Sequence, residues 1–246
     1  MNKALVIIPT YNEKENIENI IRFVFKLETP FDILVVDDNS PDGTAIIVKN
    51  LINEFPKRLN ILERQGKQGL GTAYIAGFKW ALEHKYDYIF EMDADFSHNP
   101  SDLEKLLVAI KREGTDVVIG SRYITGVNVV NWPMGRVLMS YFASAYVRMV
   151  TGLNIRDTTA GFICWKREVL ETIDLDRIKF VGYAFQIEMK YTAVKLGFNV
   201  VEEAIIFTDR TLGESKMNKS IFREAVFGVM ALRKRSMMGR IRARKT

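Results

Sequence analysis

Short runs of β-branched and aliphatic residues alternate with amphipathic stretches through the first half of the chain. Lys3–Ile8 (KALVII) reads as a strand, and Glu13–Leu27 as a helix whose Ile17, Ile20, Ile21 and Val24 share one face. Ile33–Asp37 (ILVVD) reads as a second strand, followed by a helix over Asp42–Glu54 with Ser40 and Asp42 near its cap. A weaker strand over Asn60–Glu63, a helix over Ala73–His84 and a strand over Asp87–Met92 come next. A helix over Asp102–Glu113 and a strand over Asp116–Gly120 complete the alternation. Such a rhythm predicts right-handed crossovers and an α/β fold, a mostly parallel sheet with helices on both faces.

The rhythm changes after residue 121. Residues 121–133 read as a loop, Met134–Val150 as a helix, Thr159–Trp165 as a strand and Phe185–Lys195 as a helix. Asn199–Phe207 is extended, and a last helix starts at about Ser220. With no internal repeat and no Pro/Gly/Ser-rich linker, residues 1–220 read as a single domain. Residues 221–246 read as an amphipathic, basic C-terminal helix and tail.

Composition narrows the class. Of 246 residues, 48% are hydrophobic and 26% charged, which suits a globular protein and excludes a disordered one. No run reaches the ~18 apolar residues that a spanning helix needs. The apolar run Ala4–Ile8 ends at Pro9, too short for a signal-peptide core, so a cytoplasmic location is expected. The lone Cys164 excludes a disulfide framework and a multi-cysteine zinc site, and its apolar surroundings read as core. Charge is uneven: Arg233–Thr246 carries seven basic residues and no acid, leaving 28 basic and 30 acidic residues before it. A near-neutral body with a basic tail points to a tether on an anionic lipid surface or RNA, or simply to a solvated terminus.

In an open α/β sheet, ligands collect at the carboxyl ends of the strands. Four segments reach that edge: Pro9–Glu13, Asp37–Thr44, Asp93–Ser97 and Ser121–Tyr123. In Met92-Asp93-Ala94-Asp95, two carboxylates one residue apart repel unless a cation intervenes, and hard oxygen ligands favour Mg²⁺ or Mn²⁺ shared with a phosphate substrate. Of Asp37 and Asp38, one acid is assigned to a ligand, Asp38 by preference, with the following Asn/Pro/Gly positions making a turn. The segment Gly66–Thr72 fails both the P-loop and the dinucleotide patterns, because Thr72-Ala73 and Tyr74 stand where those need Lys-Ser/Thr and Gly. It reads as a tight turn into its helix. Arg122, Arg136 with Ser140 one turn later, Arg210 and Lys216 are the cations suited to phosphates. No Ser-His-Asp or Cys-His order stands out, and His98 reads as a residue at the start of the next helix.

Together these residues resemble glycosyltransferase family 2, and within it the dolichyl- or polyprenyl-phosphate mannose synthases. The motifs are Pro9-Thr10-Tyr11-Asn12-Glu13, Asp37–Thr44, Gly69–Tyr74, Met92–Asp95, Gly120-Ser121-Arg122-Tyr123, Asn131-Trp132-Pro133, Asp157–Phe162 and Arg210-x5-Lys216. The resemblance implies a GT-A-type, Rossmann-like fold and inverting transfer of mannose from GDP-mannose to a polyprenyl phosphate. It implies that Pro9, Tyr11, Glu13, Val36 and Asp38 hold the guanosine part. Asp93, Ala94 and Asp95 would meet the diphosphate and a Mg²⁺ or Mn²⁺, with Ser97 at the position of a third metal contact. Arg210 and Lys216 would clamp the phosphates, while Arg122, Arg136 and Ser140 would receive the acceptor phosphate. Asp95, Arg122 and Lys216 are the residues expected to carry the chemistry.

A membrane-borne acceptor implies peripheral attachment at the cytoplasmic face, through the terminal helix and tail or a membrane-anchoring partner protein. Apolar positions on helix 134–150 fit core more readily than a membrane face. Two other readings stay open. One keeps the mechanism with UDP-glucose or another UDP-sugar. The other is a non-catalytic nucleotide-fold protein binding lipid or RNA through its tail, although no interleaving of aromatic and basic residues recommends nucleic acid.

Overall fold

The structure is a computed structural model describing residues 3–182, 184–210, 219–239, 241 and 243, with only the helical backbone described over 219–227. Its strands are β1 (Ala4–Thr10), β2 (Asp32–Asp37), β3 (Leu59–Glu63), β4 (Tyr88–Glu91), β5 (Val117–Ser121), β6 (Val129–Val130), β7 (Ile163–Lys166), β8 (Val200–Ala204) and β9 (Phe207–Thr208). Its helices are α1 (Ile17–Phe25), α2 (Thr44–Glu54), α3 (Leu70–Glu83), α4 (Asp102–Ile110), α5 (Met134–Thr151), α6 (Arg167–Thr172), α7 (Ala184–Lys195) and α8 (Lys219–Met237).

Seven strands form one sheet in the order β3-β2-β1-β4-β7-β5-β8, parallel except for β7, which runs antiparallel to both neighbours. Alternation within strands divides the core. Leu5, Ile7, Leu34, Val36 and Ile89 face a layer containing α3, α6 and α7. Val6, Ile8, Ile33, Val35 and Phe90 face α1, α2 and α4. Because both faces are covered, the central strands read as unbroken apolar runs. The strand order reverses between β1 and β4, and their carboxyl ends open the crevice where such folds take ligands.

The departures from the sequence reading have local causes. α1 starts at Ile17, because the Glu13 carbonyl is taken by the Asn16 and Ile17 N–H groups while the Glu13 N–H is held by Thr44 Oγ1. The strand expected over 159–165 is confined to Ile163–Lys166, since the preceding turn is bonded to side chains rather than to a ladder. The expected loop 121–133 contains β6, which pairs with β9 outside the main sheet. α6 was not anticipated.

Packing bears on two further expectations. The stripe on helix 134–150 is not core: Met134, Leu138, Tyr141, Phe142 and Met149 are all exposed, and only Ser144, Val147 and Thr151 of α5 are buried. The terminal helix in turn is packed against the body. Val229 and Leu232 join the core, Arg233 donates to the Thr151 carbonyl, and Arg235 pairs with the buried Glu188 at 2.6 Å. Among the described basic residues of the tail, Arg233 and Arg235 are thus bonded to the body.

Close packing of α3 on β1 depends on Gly77. A Cβ there would lie 2.7 Å from Ile7 Cγ2, in a core with no slack. Gly77→Ala is expected to lower unfolding stability by about 1–3 kcal/mol through overpacking, measured by urea denaturation. An unchanged midpoint would mean that α3 shifts freely.

Candidate active site

Backbone strain marks the crevice. Asn12, Asn39 and Phe96 all have positive φ, 57°, 56° and 58°, and one falls in each of the segments following β1, β2 and β4. Asn tolerates this conformation, whereas Phe does not adopt it without enforcement from its surroundings. At Phe96 the reversal lets Ser97 reach back to Asp95: its N–H and hydroxyl donate to Oδ1 at 3.0 and 2.5 Å.

The carboxylate pair stands at the end of β4. Burial, then the neighbouring Asp95, push Asp93 up to about 7, partly offset by Arg210. Burial also acts to raise Asp95, but the Ser97 hydrogen bonds and Arg210 hold it below the usual carboxylate range. Arg210 Nη2 lies 2.7 Å from Asp95 Oδ2. Two acids crowded in a protein-walled crevice suit a divalent cation, which would relieve their repulsion. Among the described residues no group of three His, Cys, Asp or Glu side chains is arranged to hold a metal ion, and phosphate or water oxygens would suit the remaining positions around a cation held by Asp93 and Asp95. Ser97, expected as a third metal contact, is buried beside the pair and its hydroxyl donates to Asp95. Ala94 is buried between the two acids.

His98 does not act at the start of α4. It is buried, stacked 4.9 Å from Phe162, and bridged through its backbone to Phe207. Burial pushes it down to about 4, so it is neutral at pH 7, with Nδ1 facing the Asp93 N–H at 3.5 Å.

On the β2 side the two neighbouring acids part company. Asp37 accepts from Thr10 Oγ1 and from the N–H and hydroxyl of Ser40, all within 2.9 Å, and so ties the two loops together. Asp38 faces the glycine segment. Arg64 grips it with two bonds of 2.6 and 2.7 Å and reaches on to Thr72 Oγ1 at 2.8 Å. Gly69, at φ 102°, starts α3, as the tight-turn reading expects. Tyr11 lies under Lys67, 4.9 Å from ring centroid to Nζ, and Glu13 is buried nearby with Pro9 half-buried on β1. Val36 is corrected: its side chain is fully buried in the sheet interior, and its backbone is paired on both sides with Pro9 and Leu62.

The arginines form the opposite wall. Arg122 is buried against Asp157, with bonds of 2.6 and 2.7 Å, and donates to Thr159 Oγ1 at 2.8 Å. Burial opposes the Asp157 charge, but Arg122 outweighs it and holds the carboxyl below its usual range. The rings of Tyr123, Trp132 and Phe207 surround the guanidinium at 5.3–5.6 Å. Arg136 lies 4.1 Å over the Trp132 ring and bonds Asp209 at 2.8 Å, with the half-buried Ser140 one turn further along α5. The two walls meet through β9, where the Thr208 N–H donates to the Ser97 carbonyl and Asp209 and Arg210 follow. Lys216 lies outside the described residues.

Sequence reasoning did not assign Arg64, Asp157, Asp209 or Trp132 to these contacts. One signal was available for Asp157: a buried arginine needs a carboxylate, and no other acid lies between residues 117 and 167. Behind the site, Glu91 is fully buried and accepts from Trp165 Nε1 and Gln186 Nε2, both at 2.6 Å; burial pushes it up to about 7.

Comparison with known proteins gives a consistent picture. The sequence profile of Glycosyl transferase family 2 matches residues 5–174. The polyprenol monophosphomannose synthase of Mycolicibacterium smegmatis is 48% identical over 227 residues, 92% of this chain and 85% of the relative. The undecaprenyl-phosphate mannosyltransferase of Micrococcus luteus is 45% identical over 92% of each chain. Among solved structures, a mannosyltransferase from Pyrobaculum calidifontis, in complex with GDP-Man and Mn²⁺, superimposes with TM-score 0.61 at 17% identity. The match covers 96% of this chain and 64% of that one. Glucosyl-3-phosphoglycerate synthase from Mycobacterium tuberculosis, with Mn²⁺, UDP and product, gives 0.66 at 18% identity over 97% and 80%. At such identities these likenesses concern the fold, which is of the GT-A type.

Asp157→Asn leaves a buried guanidinium without its counter-charge, and unfolding stability is expected to fall by about 3 kcal/mol or more. Adding Arg122→Met should restore part of the loss in urea titrations. If the double variant is as unstable as the sum of the single ones, the ion pair is not what Asp157 supplies.

Proposed function

The chain belongs to glycosyl transferase family 2, and within that family we propose that it transfers mannose, with inversion, from GDP-mannose to the phosphate of a polyprenyl phosphate, releasing GDP. One observation carries the reading. A carboxylate pair suited to a metal–diphosphate is joined through Arg210 and its neighbour Asp209 to Arg136, one of a pair of aromatic-backed arginines beside a helix whose apolar side chains are exposed. The near-full-length likeness to two polyprenyl-phosphate mannosyltransferases supports the same sugar and acceptor.

The division of labour follows from the charges. Pro9, Tyr11, Glu13 and Asp38 would border the guanosine part, with Asp38 already oriented by Arg64. Asp93 and Asp95 would hold a Mg²⁺ or Mn²⁺, which when bound neutralises the diphosphate and helps GDP leave. Arg210, released from Asp95, and Lys216 would bind the departing phosphates. Arg122, Arg136 and Ser140 would hold the acceptor phosphate in line with the anomeric carbon. A phosphate monoester has a second pKa near ~6, so the acceptor is largely dianionic at pH 7 and needs no general base. Its oxygen forms the new bond as the sugar–diphosphate bond breaks on the far face, and the electron pair leaves with GDP. Positioning and electrostatic stabilisation are the protein's share.

Reaching a lipid acceptor needs a route to the membrane. Among the described residues no helix is long and apolar enough to cross one. Met134 (70% exposed), Phe142 (62%), Leu138 and Tyr141 instead share the outer face of α5, while Arg136 and Ser140 lie on its inner side, toward the buried Ser144 and Val147. We read this face, with the basic end of α8, as the surface that rests on anionic lipid at the cytoplasmic side. Residues 1–220 then form the catalytic domain, and the terminal helix is docked on it.

In assays with Mg²⁺ and a short polyprenyl phosphate, label is expected to pass into the lipid phase from GDP-mannose but not from UDP-glucose or UDP-N-acetylglucosamine. Transfer from a uridine donor would keep the mechanism and replace the sugar. Asp95→Ala should cut turnover at least about a hundredfold, since metal-borne charge stabilisation is worth several kcal/mol. Near-wild-type activity would sink the metal assignment.

Met134→Ser/Phe142→Ser should weaken binding to anionic vesicles about thirtyfold, at about 1 kcal/mol for each partly inserted side chain. Sedimentation with vesicles measures it. Unchanged binding would move the contact elsewhere, to a partner protein or to α8.

A further inference from the structure

α7 is enclosed on every side: each residue from Ala184 to Ala193 is buried. Within it Lys190 is fully inaccessible. A lysine there is costly unless its ammonium is hydrogen-bonded and its charge is matched. Both conditions are met at one place. Nζ donates to the Ala160 carbonyl at 2.6 Å and to the Thr158 carbonyl at 3.1 Å. Its favourable neighbours are the carboxylates of Asp157, Glu91 and Glu202, and its unfavourable one is Arg122.

The two carbonyls flank Thr159, and the turn they belong to begins at Asp157. From the other side of that turn, Arg122 takes both Asp157 oxygens and Thr159 Oγ1. Glu202 fixes the start of the turn, accepting from the Arg156 and Asp157 N–H groups at 2.7 and 2.9 Å. Lys190 fixes its end. Without the ammonium, two inward carbonyls would lose their donor, and the turn would have reason to rotate them away. The carboxylate and hydroxyl that set the plane of Arg122 would rotate with them.

We propose that Lys190 is a positioning residue for the acceptor half of the reaction, holding the 157–160 turn from within the core so that Arg122 presents its guanidinium to the acceptor phosphate. The inference rests on the reading of Arg122 as an acceptor ligand. It makes a distinction that general core packing does not: the donor side, built on β1, β2 and β4, should be spared.

The test compares donor and acceptor parameters in Lys190→Met, which keeps the stem and removes the charge. Affinity for GDP-mannose with Mn²⁺, by calorimetry, should change less than about twofold, while kcat/KM for polyprenyl phosphate falls about tenfold or more. Lys190→Gln, with one donor group retained, should lose about threefold on the acceptor side alone, and it serves where the methionine variant does not fold. Thr159→Val should cost several-fold in the wild-type background and roughly nothing further beside Lys190→Met, because both act through one turn.

Parallel losses of donor and acceptor binding, no change in either, or full multiplicativity of the two substitutions would each overturn the proposal. Failure of both Lys190 variants to fold would do the same, placing Lys190 with stability alone. A wild-type protein that transfers no mannose overturns the proposed function, and this inference with it; an active wild type with uniformly weakened variants overturns only the inference.

Discussion

Three carboxylates in five residues, Glu91, Asp93 and Asp95, crowd the end of one buried strand, and much of the surrounding structure answers that repulsion. Spaced two apart, they would line one face if the chain stayed extended. Instead each meets a different answer. Glu91 is satisfied inside the protein by Trp165 and Gln186. Asp95 is held charged by Ser97 and Arg210, which requires the strained backbone at Phe96. Asp93 is left with its affinity for protons raised. The charge least compensated by the protein therefore stands in the crevice, where a metal–diphosphate would complete it. Under the proposed reading, burial that is unfavourable for folding would give the site its affinity for a cation.

The same alternation of sign runs around the crevice. Arg64 is paired with Asp38, Arg122 with Asp157, Arg136 with Asp209 and Arg210 with Asp95. Under the proposed reading these cations are oriented before any phosphate arrives, which would lower the cost of ordering long side chains during the reaction. The pairs differ in depth. Arg122 and Asp157 are almost wholly buried, so a ligand would add to that pair rather than break it. Arg136 and Asp209 are each about 30% exposed, a pair that water already reaches and a phosphate can open.

The strand–helix alternation made the first half of the fold legible because both sheet faces are covered, so period and composition agree. The second half resisted for reasons visible in particular residues. β7 is a short antiparallel insertion whose ICWK run carries no mark of direction. α7 shows no amphipathic pattern because it is buried all round, with Gln186, Glu188 and Lys190 each bonded to a different neighbour. Of the candidate site, the strand-end acids and the cations suited to phosphates could be named from their positions in the sequence. Their partners could not, because Arg64, Asp157 and Asp209 come from distant segments that only the folded sheet brings within bonding distance. Val36 shows the converse error: a position can belong to a motif because it places its neighbour Asp38, without facing a ligand itself.

The exposed face of α5 follows from the same logic of matching environments. Water disfavours Met134, Leu138 and Phe142 at its surface, and the protein has left them there, on the face of α5 turned away from Arg136, rather than folding them under. A lipid phosphate presents the complementary arrangement, an anion at the boundary of an apolar phase. Trp132 lies between Arg122 and Arg136, with a cation near its ring at each, and an indole suits a place where water and hydrocarbon meet. Under the proposed reading, the helix that meets the membrane also carries Arg136 and Ser140. Docking and substrate capture are then one event, in which the acceptor need not leave the bilayer for its phosphate to reach the crevice.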